Sequence, residues 1–283
     1  MLDKNLNILI VGLGLLGGSY AKKLSSEGYN IKAITRDPKT IEYALKRSFI
    51  SEGTVEIDEK LISDADLIIF ALYPKVFIRW IEENGHLIKP HTVITDVTGV
   101  KGSVVDTVQN MLPEGVEFIS AHPMAGRESS GIEYADDTIF KCANYIVVPT
   151  EKNTPEGIAL CRELGETLEF AKISELSVEE HDRMIAFLSQ LTHCIAVSLM
   201  CADDNPDLVK YTGDSFRDLT RIANINDEMW SELFLLNRDA LLHEMDKFRD
   251  SFEELYATVR DGNRDEMREM MRTSTERRRR FNK

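Results

Sequence analysis

The sequence predicts an α/β fold: a Rossmann-like, mostly parallel sheet domain over residues 1–173, followed by an all-helical domain over residues 174–283. Three observations predict it. Short apolar runs alternate with longer amphipathic ones in the first half, a glycine-rich loop directly follows the first of those runs, and beyond Val178 the apolar spacing is helical throughout. Strand and helix alternating in this way build a parallel sheet with helices on both sides.

Element by element, residues 6–11 read as a strand, and a helix follows the glycines to about Glu27. Residues 30–35 read as a second strand, and Pro38 opens the next helix at a favoured first-turn position. Residues 66–72 hold a continuous apolar run of strand length, the mark of a strand covered on both faces. Pro74 opens another helix, and residues 92–96, 117–120 and 145–148 add three strands. Ser177-Val178-Glu179-Glu180 has the form of a capping box and starts the helical part.

Composition bounds the function. Hydrophobic residues make up 43% and charged residues 29% of 283, an ordinary globular balance. With 34 Lys and Arg against 48 Asp and Glu, the net charge of −14 disfavours nucleic acid or an anionic membrane as partner. No uninterrupted apolar run approaches the roughly 18 residues of a membrane span. The N-terminus passes almost directly into a strand, so no signal peptide is expected and the location is read as cytoplasmic. Cys142, Cys161, Cys194 and Cys201 form no CxxC pair and show no metal-ligand spacing, which fits reduced thiols and no metal.

Gly12-Leu13-Gly14-Leu15-Leu16-Gly17-Gly18 fits GxGxxG between a strand and a helix. Gly12 permits the tight turn, Gly14 lets the backbone approach a pyrophosphate, and Gly17 lets helix and strand pack closely. Leu15 and Leu16 would add helix N-terminal N–H groups for the anion. At the end of the second strand an NAD site usually presents an acid to the ribose. Here Thr35 stands there with Arg36 next, a pair suited to a 2′-phosphate, so NADP is favoured over NAD. The opposing reading makes Arg36 a solvated loop residue, with Asp37 serving the ribose.

His122, in His122-Pro123-Met124-Ala125-Gly126, follows the strand at 117–120 and falls near the expected cofactor crevice. It is either a proton-transfer group or a capping or core histidine. At 100° per residue, Asp182, Ser189 and His193 lie within about 20° of one line on the next helix. That polar stripe either lines a wet pocket or forms a buried hydrogen-bonded spine. Arg217 reads as a surface partner of Asp218, which leaves Arg221 as the candidate for binding a carboxylate.

Together these residues resemble the prephenate and arogenate dehydrogenase family, the TyrA-type enzymes of tyrosine biosynthesis. The matching pieces are the glycine loop, Asp96-Val97-Thr98-Gly99-Val100-Lys101, and His122 to Gly126 with Glu128, Ser130 and Gly131. Glu180-His181-Asp182, residues 189–193, residues 216–223 and Trp230 follow in family order over essentially the whole chain. The resemblance implies an NAD(P)-dependent oxidative decarboxylation of prephenate to 4-hydroxyphenylpyruvate, with arogenate as the alternative substrate. It also implies a homodimer through a helical domain of 6-phosphogluconate dehydrogenase-like architecture.

Carried over residue by residue, His122 takes the proton of the ring hydroxyl and Arg221 holds the ring carboxylate with Asp182 as its ion-pair partner. His193 contacts the substrate side chain near Glu128 and Ser189, and Trp230 comes from the second subunit. Gly99 stands where many relatives carry a Ser that bonds the catalytic His, with Thr98 as its substitute. Gln190 and Thr192 replace the His and Pro of the frequent SHLPH pattern, while the retained His193 leans toward prephenate. Neither a chorismate mutase segment before the loop nor an ACT-type regulatory domain after about residue 260 is expected, and the Arg run at 277–280 reads as a solvated tail, with a dimer contact as the alternative. The rivals are another dehydrogenase with a Rossmann domain and helices, such as a β-hydroxyacid dehydrogenase, and a non-catalytic NADP-binding sensor.

Overall fold

A computed structural model describes residues 2–127 and 129–281. The first half alternates as the sequence predicts. In order come β1 (Ile8–Val11), α1 (Leu15–Ser26), β2 (Ile31–Ile34), α2 (Pro38–Lys46), β3 (Glu52–Thr54), α3 (Glu59–Asp64), β4 (Leu67–Phe70), α4 (Pro74–Asn84), β5 (Val93–Asp96), α5 (Val105–Met111) and β6 (Glu117–Phe118). These six strands form one parallel sheet in the order β3-β2-β1-β4-β5-β6. The side-chain period of two sends Ile8 and Ile10, with Ile31, Leu67 and Ile69, into the core on one face. Leu9 and Val11, with Ile68, Phe70 and Ile94, go to the core on the other. Both faces of the central strands are therefore dry, which is why β1 and β4 are apolar at every position.

The order reverses between β1 and β4, so the loops after those two strands open a crevice at the carboxyl edge of the sheet. Local chemistry fixes where the helices begin. Asp37 caps α2 by accepting from Lys39 N–H, and Asp58 caps α3 from Lys60 and Leu61 N–H.

The sheet differs from the sequence expectation in one respect that matters for the site. The strand expected at 117–120 is two strands: β6 ends at Phe118, and the chain leaves the first sheet to form β7 (Ser120–Pro123). A separate three-stranded sheet joins β7, β8 (Asn144–Val148) and β9 (Lys172–Glu175), with β7 antiparallel to β8. His122 thus lies within a strand, opposite Ile146, instead of in a loop after one. Helix α6 (Pro155–Thr167) links β8 to β9.

Beyond Glu175 the described residues are helical. Helix α7 (Val178–Ile185) starts at a complete capping box between Ser177 and Glu180. It continues through a π-helical turn (Ala186–Gln190) into α8 (Leu191–Cys201). Then come α9 (Asp214–Thr220), α10 (Asp227–Leu236), α11 (Arg238–Arg260) and α12 (Arg264–Arg279). The Arg run is the last turn of α12, where cations complement the helix dipole.

The helical stretch Val178–Cys201 holds the most apolar window among the described residues that passes for a membrane span by average. It is 24 residues long and holds an 18-residue window of mean hydropathy 1.7, enough to cross a membrane by length and composition alone, with 28% of that window buried. Ser189, Gln190, Thr192 and His193 break its apolar residues into short runs but leave the average high.

Candidate active site

One cavity of about 740 Å³ lies between the carboxyl edge of the parallel sheet and the helices. That volume suits a small ligand with part of a cofactor. Gly14, Leu15, Leu16 and Gly17 form one wall. Gly12 has φ +96°, and a Cβ there would stand 2.5 Å from Ala71 O, so the turn demands glycine. A Cβ on Gly17 would stand 1.9 Å from Gly12 O, whereas one at Gly14 would meet nothing within 4 Å. Gly14 is therefore the open position of the cradle. Helix α1 begins next to it with no side-chain cap and no acid in its first turn, which leaves N–H groups directed at an anion. These residues fit a dinucleotide pyrophosphate.

Thr35 and Arg36 follow β2, outside the cavity wall. Arg36 is exposed. The Asp37 carboxylate is occupied at the start of α2, accepting from Lys39 N–H at 3.0 Å and Thr40 Oγ1 at 3.1 Å.

His122 lies on the cavity wall with its ring partly buried. Its Nδ1 is 2.9 Å from Nε2 of His181, and Nδ1 of His181 is 2.7 Å from Oδ1 of Asp182. Burial holds His122 well below the ordinary histidine range, reinforced by repulsion from His181 and from the Lys101 ammonium. Burial likewise lowers His181, against the pull of its hydrogen bond to Asp182. His122 is thus neutral near pH 7 and able to accept a proton.

Asp182 does not partner Arg221 as the sequence suggested. Its carboxylate accepts the backbone N–H groups of Lys101 at 2.9 Å and Gly102 at 2.7 Å, together with the His181 ring. The π turn explains the misreading, because its wider turn shifts the helical register after Ile185. Ser189 and His193 reach the cavity, while Asp182 faces the loop behind it. The stripe is pocket lining at one end and buried hydrogen-bonded spine at the other.

Thr98 likewise does not take the place of a serine on His122. Its hydroxyl donates to Asp96 and lies 3.3 Å from Lys101 Nζ. A Cβ at Gly99 would stand 3.8 Å from both Cε1 and Nε2 of His122 and 3.7 Å from Leu233 Cδ2, so that edge of the ring borders Gly99. Gln190 lines the cavity but is buried, and its amide is committed to the fold. It donates to Leu233 O at 3.0 Å and accepts from Asn237 Nδ2 at 2.8 Å.

Trp230, expected from a second subunit, lines the cavity of its own chain. Its ring stacks on His193 with centroids 3.7 Å apart. His193 Nδ1 donates to Ser189 O at 2.9 Å, on the π turn. Arg221 lies at the start of a short 3₁₀ turn after α9 and lines the same cavity, while Arg217 pairs with Asp214 instead of Asp218. Glu128 lies outside the described residues. The residue that sequence reasoning left without a role is His181, quoted as part of Glu180-His181-Asp182 but assigned nothing.

Residues 20–173 match the nucleotide-binding domain of prephenate dehydrogenase, and residues 177–273 match its dimerization domain. The chain is 33% identical over 257 residues to the prephenate dehydrogenase of Bacillus subtilis, covering 87% of this chain and 66% of that enzyme's length. Prephenate dehydrogenase of Aquifex aeolicus, solved with hydroxyphenyl propionate and NAD+, superposes with TM-score 0.89 at 28% identity, covering 97% of this chain and 98% of that one. Arogenate dehydrogenase of Synechocystis superposes with TM-score 0.83 at 26% identity, covering 97% and 99%. The chain belongs to the prephenate dehydrogenase family of oxidoreductases.

Proposed function

We propose that the protein is a prephenate dehydrogenase that uses NADP in preference to NAD. The observation that carries this reading is one shared cavity, which joins the glycine cradle, His122, and the pair His193 and Arg221. A bound nicotinamide supplies the hydride acceptor for oxidation at the ring carbinol. His122 Nε2 takes the proton of that hydroxyl. As the ring carboxylate leaves as CO₂, the electron pair of the broken bond flows to the ring oxygen, which takes the proton back from His122. Aromatisation supplies much of the driving force, so the protein's share is positioning and one proton transfer.

Arg221 offers a fork-shaped donor for a carboxylate, and His193, held between Trp230 and Ser189 O, faces the substrate side chain. Glu128 and Ser189 complete this end in the reading. Retention of His193 favours prephenate over arogenate. NADP is favoured because Arg36 is open to solvent at the end of β2 while Asp37 is used as a helix cap.

The division into a nucleotide-binding unit, residues 1–173, and a helical unit, residues 174–283, belongs to the same reading, with β9 running on to Glu175. So do a cytoplasmic location and a homodimer. Exposed Leu242, Met245, Phe248, Phe252, Tyr256 and Val259 recur at helical spacing along α11. A stripe of that kind suits a second copy of the chain. The test offers prephenate and arogenate, each with NADP and with NAD, and follows nicotinamide reduction. Turnover of prephenate with NADP above the other three pairs is expected; turnover in none of them contradicts the activity.

A further inference from the structure

We propose that His181 is a positioning residue that fixes which nitrogen of His122 is basic. The argument is one of donors and acceptors. Both oxygens of Asp182 already accept backbone N–H groups, from Lys101 at 2.9 Å and Gly102 at 2.7 Å. The carboxylate is therefore an acceptor, and His181 Nδ1, at 2.7 Å from Oδ1, must donate to it. A neutral imidazole has one N–H, so His181 Nε2 carries a lone pair. That lone pair lies 2.9 Å from His122 Nδ1, which must supply the hydrogen. His122 is left with its proton on Nδ1 and a bare Nε2, which lies on the edge of the ring beside Gly99.

The opposite tautomer of His122 would set two lone pairs against each other at hydrogen-bond distance. The relay is held rigidly, because the His181 side chain is wholly buried and Asp182 is tied to the backbone of the loop after β5. When His122 takes a proton on Nε2, its Nδ1–H keeps donating to His181. His181 stays neutral and passes nothing on. It orients the base, as the buried acid does in a Ser-His-Asp triad. In this chain the anchoring acts on Nδ1 from α7, while Gly99 itself offers the ring no side chain.

That His122 is the base rests on the proposed function; its tautomer does not. The test therefore has two arms on the full chain. The first records imidazole ¹⁵N shifts at pH 7.5, with the His122 signals assigned by their loss in His122→Asn. A protonated Nδ1 and an unprotonated Nε2 on His122 are expected in the unaltered protein. The reverse tautomer, or an even mixture, overturns the proposal, and it is read on the unaltered protein.

The second arm compares His181→Leu, which removes the acceptor, with His181→Gln, whose amide oxygen restores one. A kcat roughly 10²–10⁴-fold lower is expected for His181→Leu, with KM for the cofactor within about twofold. His181→Gln should recover at least about tenfold of that loss by restoring the bond. Equal kcat in all three proteins, or a Gln variant no better than Leu, overturns it. If the unaltered protein oxidises neither cyclohexadienol, the proposed function has failed, and the ¹⁵N spectrum alone decides the role of His181.

Discussion

Lys101 and Asp96 form an ion pair with both side chains wholly buried, Nζ lying 2.9 Å from Oδ2. The pair fastens the strand that carries His122. Asp96 Oδ1 accepts from Ser120 Oγ at 2.6 Å and Ala121 N–H at 3.0 Å, and Lys101 Nζ donates to Ala121 O at 2.7 Å. The residue just before His122 is thus gripped by its N–H and its C=O. The first sheet holds β7 in place through this hub, although β7 pairs with the other sheet.

Removing one partner leaves a buried charge without its counter-ion. Lys101→Met is therefore expected to lower unfolding free energy by about 3–5 kcal/mol. Urea unfolding followed by fluorescence measures it. A loss under about 1 kcal/mol would show that the hub does not matter to the fold.

The lowered pKa of His122 has a signed consequence for pH dependence. If His122 is the base, its neutral ring is the active form, and burial together with His181 and Lys101 disfavours its protonation. The acid limb of kcat/KM should therefore lie below the ordinary histidine value of about 6.5. Stability changes in the same direction. The unfolded chain binds a proton on His122 and His181 at higher pH than the native state does, so stability declines as pH falls from about 6.5 toward the lowered values. A pH–rate profile with its acid limb above 6.5 contradicts the assignment.

Cofactor choice turns on two neighbouring residues. If Arg36 reads a 2′-phosphate, Arg36→Ala should raise KM for NADP about tenfold or more and leave KM for NAD within about twofold. Asp37→Ala should leave the NADP to NAD ratio unchanged, because its carboxylate is bonded to Lys39 and Thr40. Steady-state kinetics with both cofactors measures this. A fall confined to NAD in the Asp37 variant would hand the ribose to Asp37.

The apolar stripe on α11 predicts an assembly. Phe252 is 59% exposed in the single chain and sits in mid-stripe. A charge introduced there must be desolvated in a dimer and costs nothing in a monomer. Phe252→Arg is expected to shift the molar mass from twice that of the chain toward the 32.2 kDa of one copy, measured by light scattering. An unchanged dimer would place the interface elsewhere.

Much of this was legible in the sequence, and the failures have physical causes. The glycine loop, the proline-started helices and the Ser177 capping box announce themselves because each is a local device. Strand β3, Glu52-Gly53-Thr54, lacks the apolar alternation that betrays a strand. The division of β6 from β7 at Ile119 depends on the antiparallel pairing with β8, which no local pattern encodes. Asp182 was placed on the cavity side by a 3.6-residue period that the π turn interrupts. Thr98 and Gln190 have the right chemistry for a ligand, but their hydrogen bonds are taken by Asp96 and by Leu233 and Asn237. His181 meets His122 across 59 residues, so its role required the fold.

The central claim is that His122 is the base in a cavity that binds cofactor and substrate together. Measuring kcat with prephenate for the unaltered protein and for His122→Asn, alongside cofactor affinity, tests it most directly. The variant should lose roughly 10²–10⁴-fold in kcat while binding the cofactor as tightly as before. A variant that turns over within about threefold of the unaltered protein would contradict it, since a rate that survives removal of the imidazole assigns the proton transfer to another group.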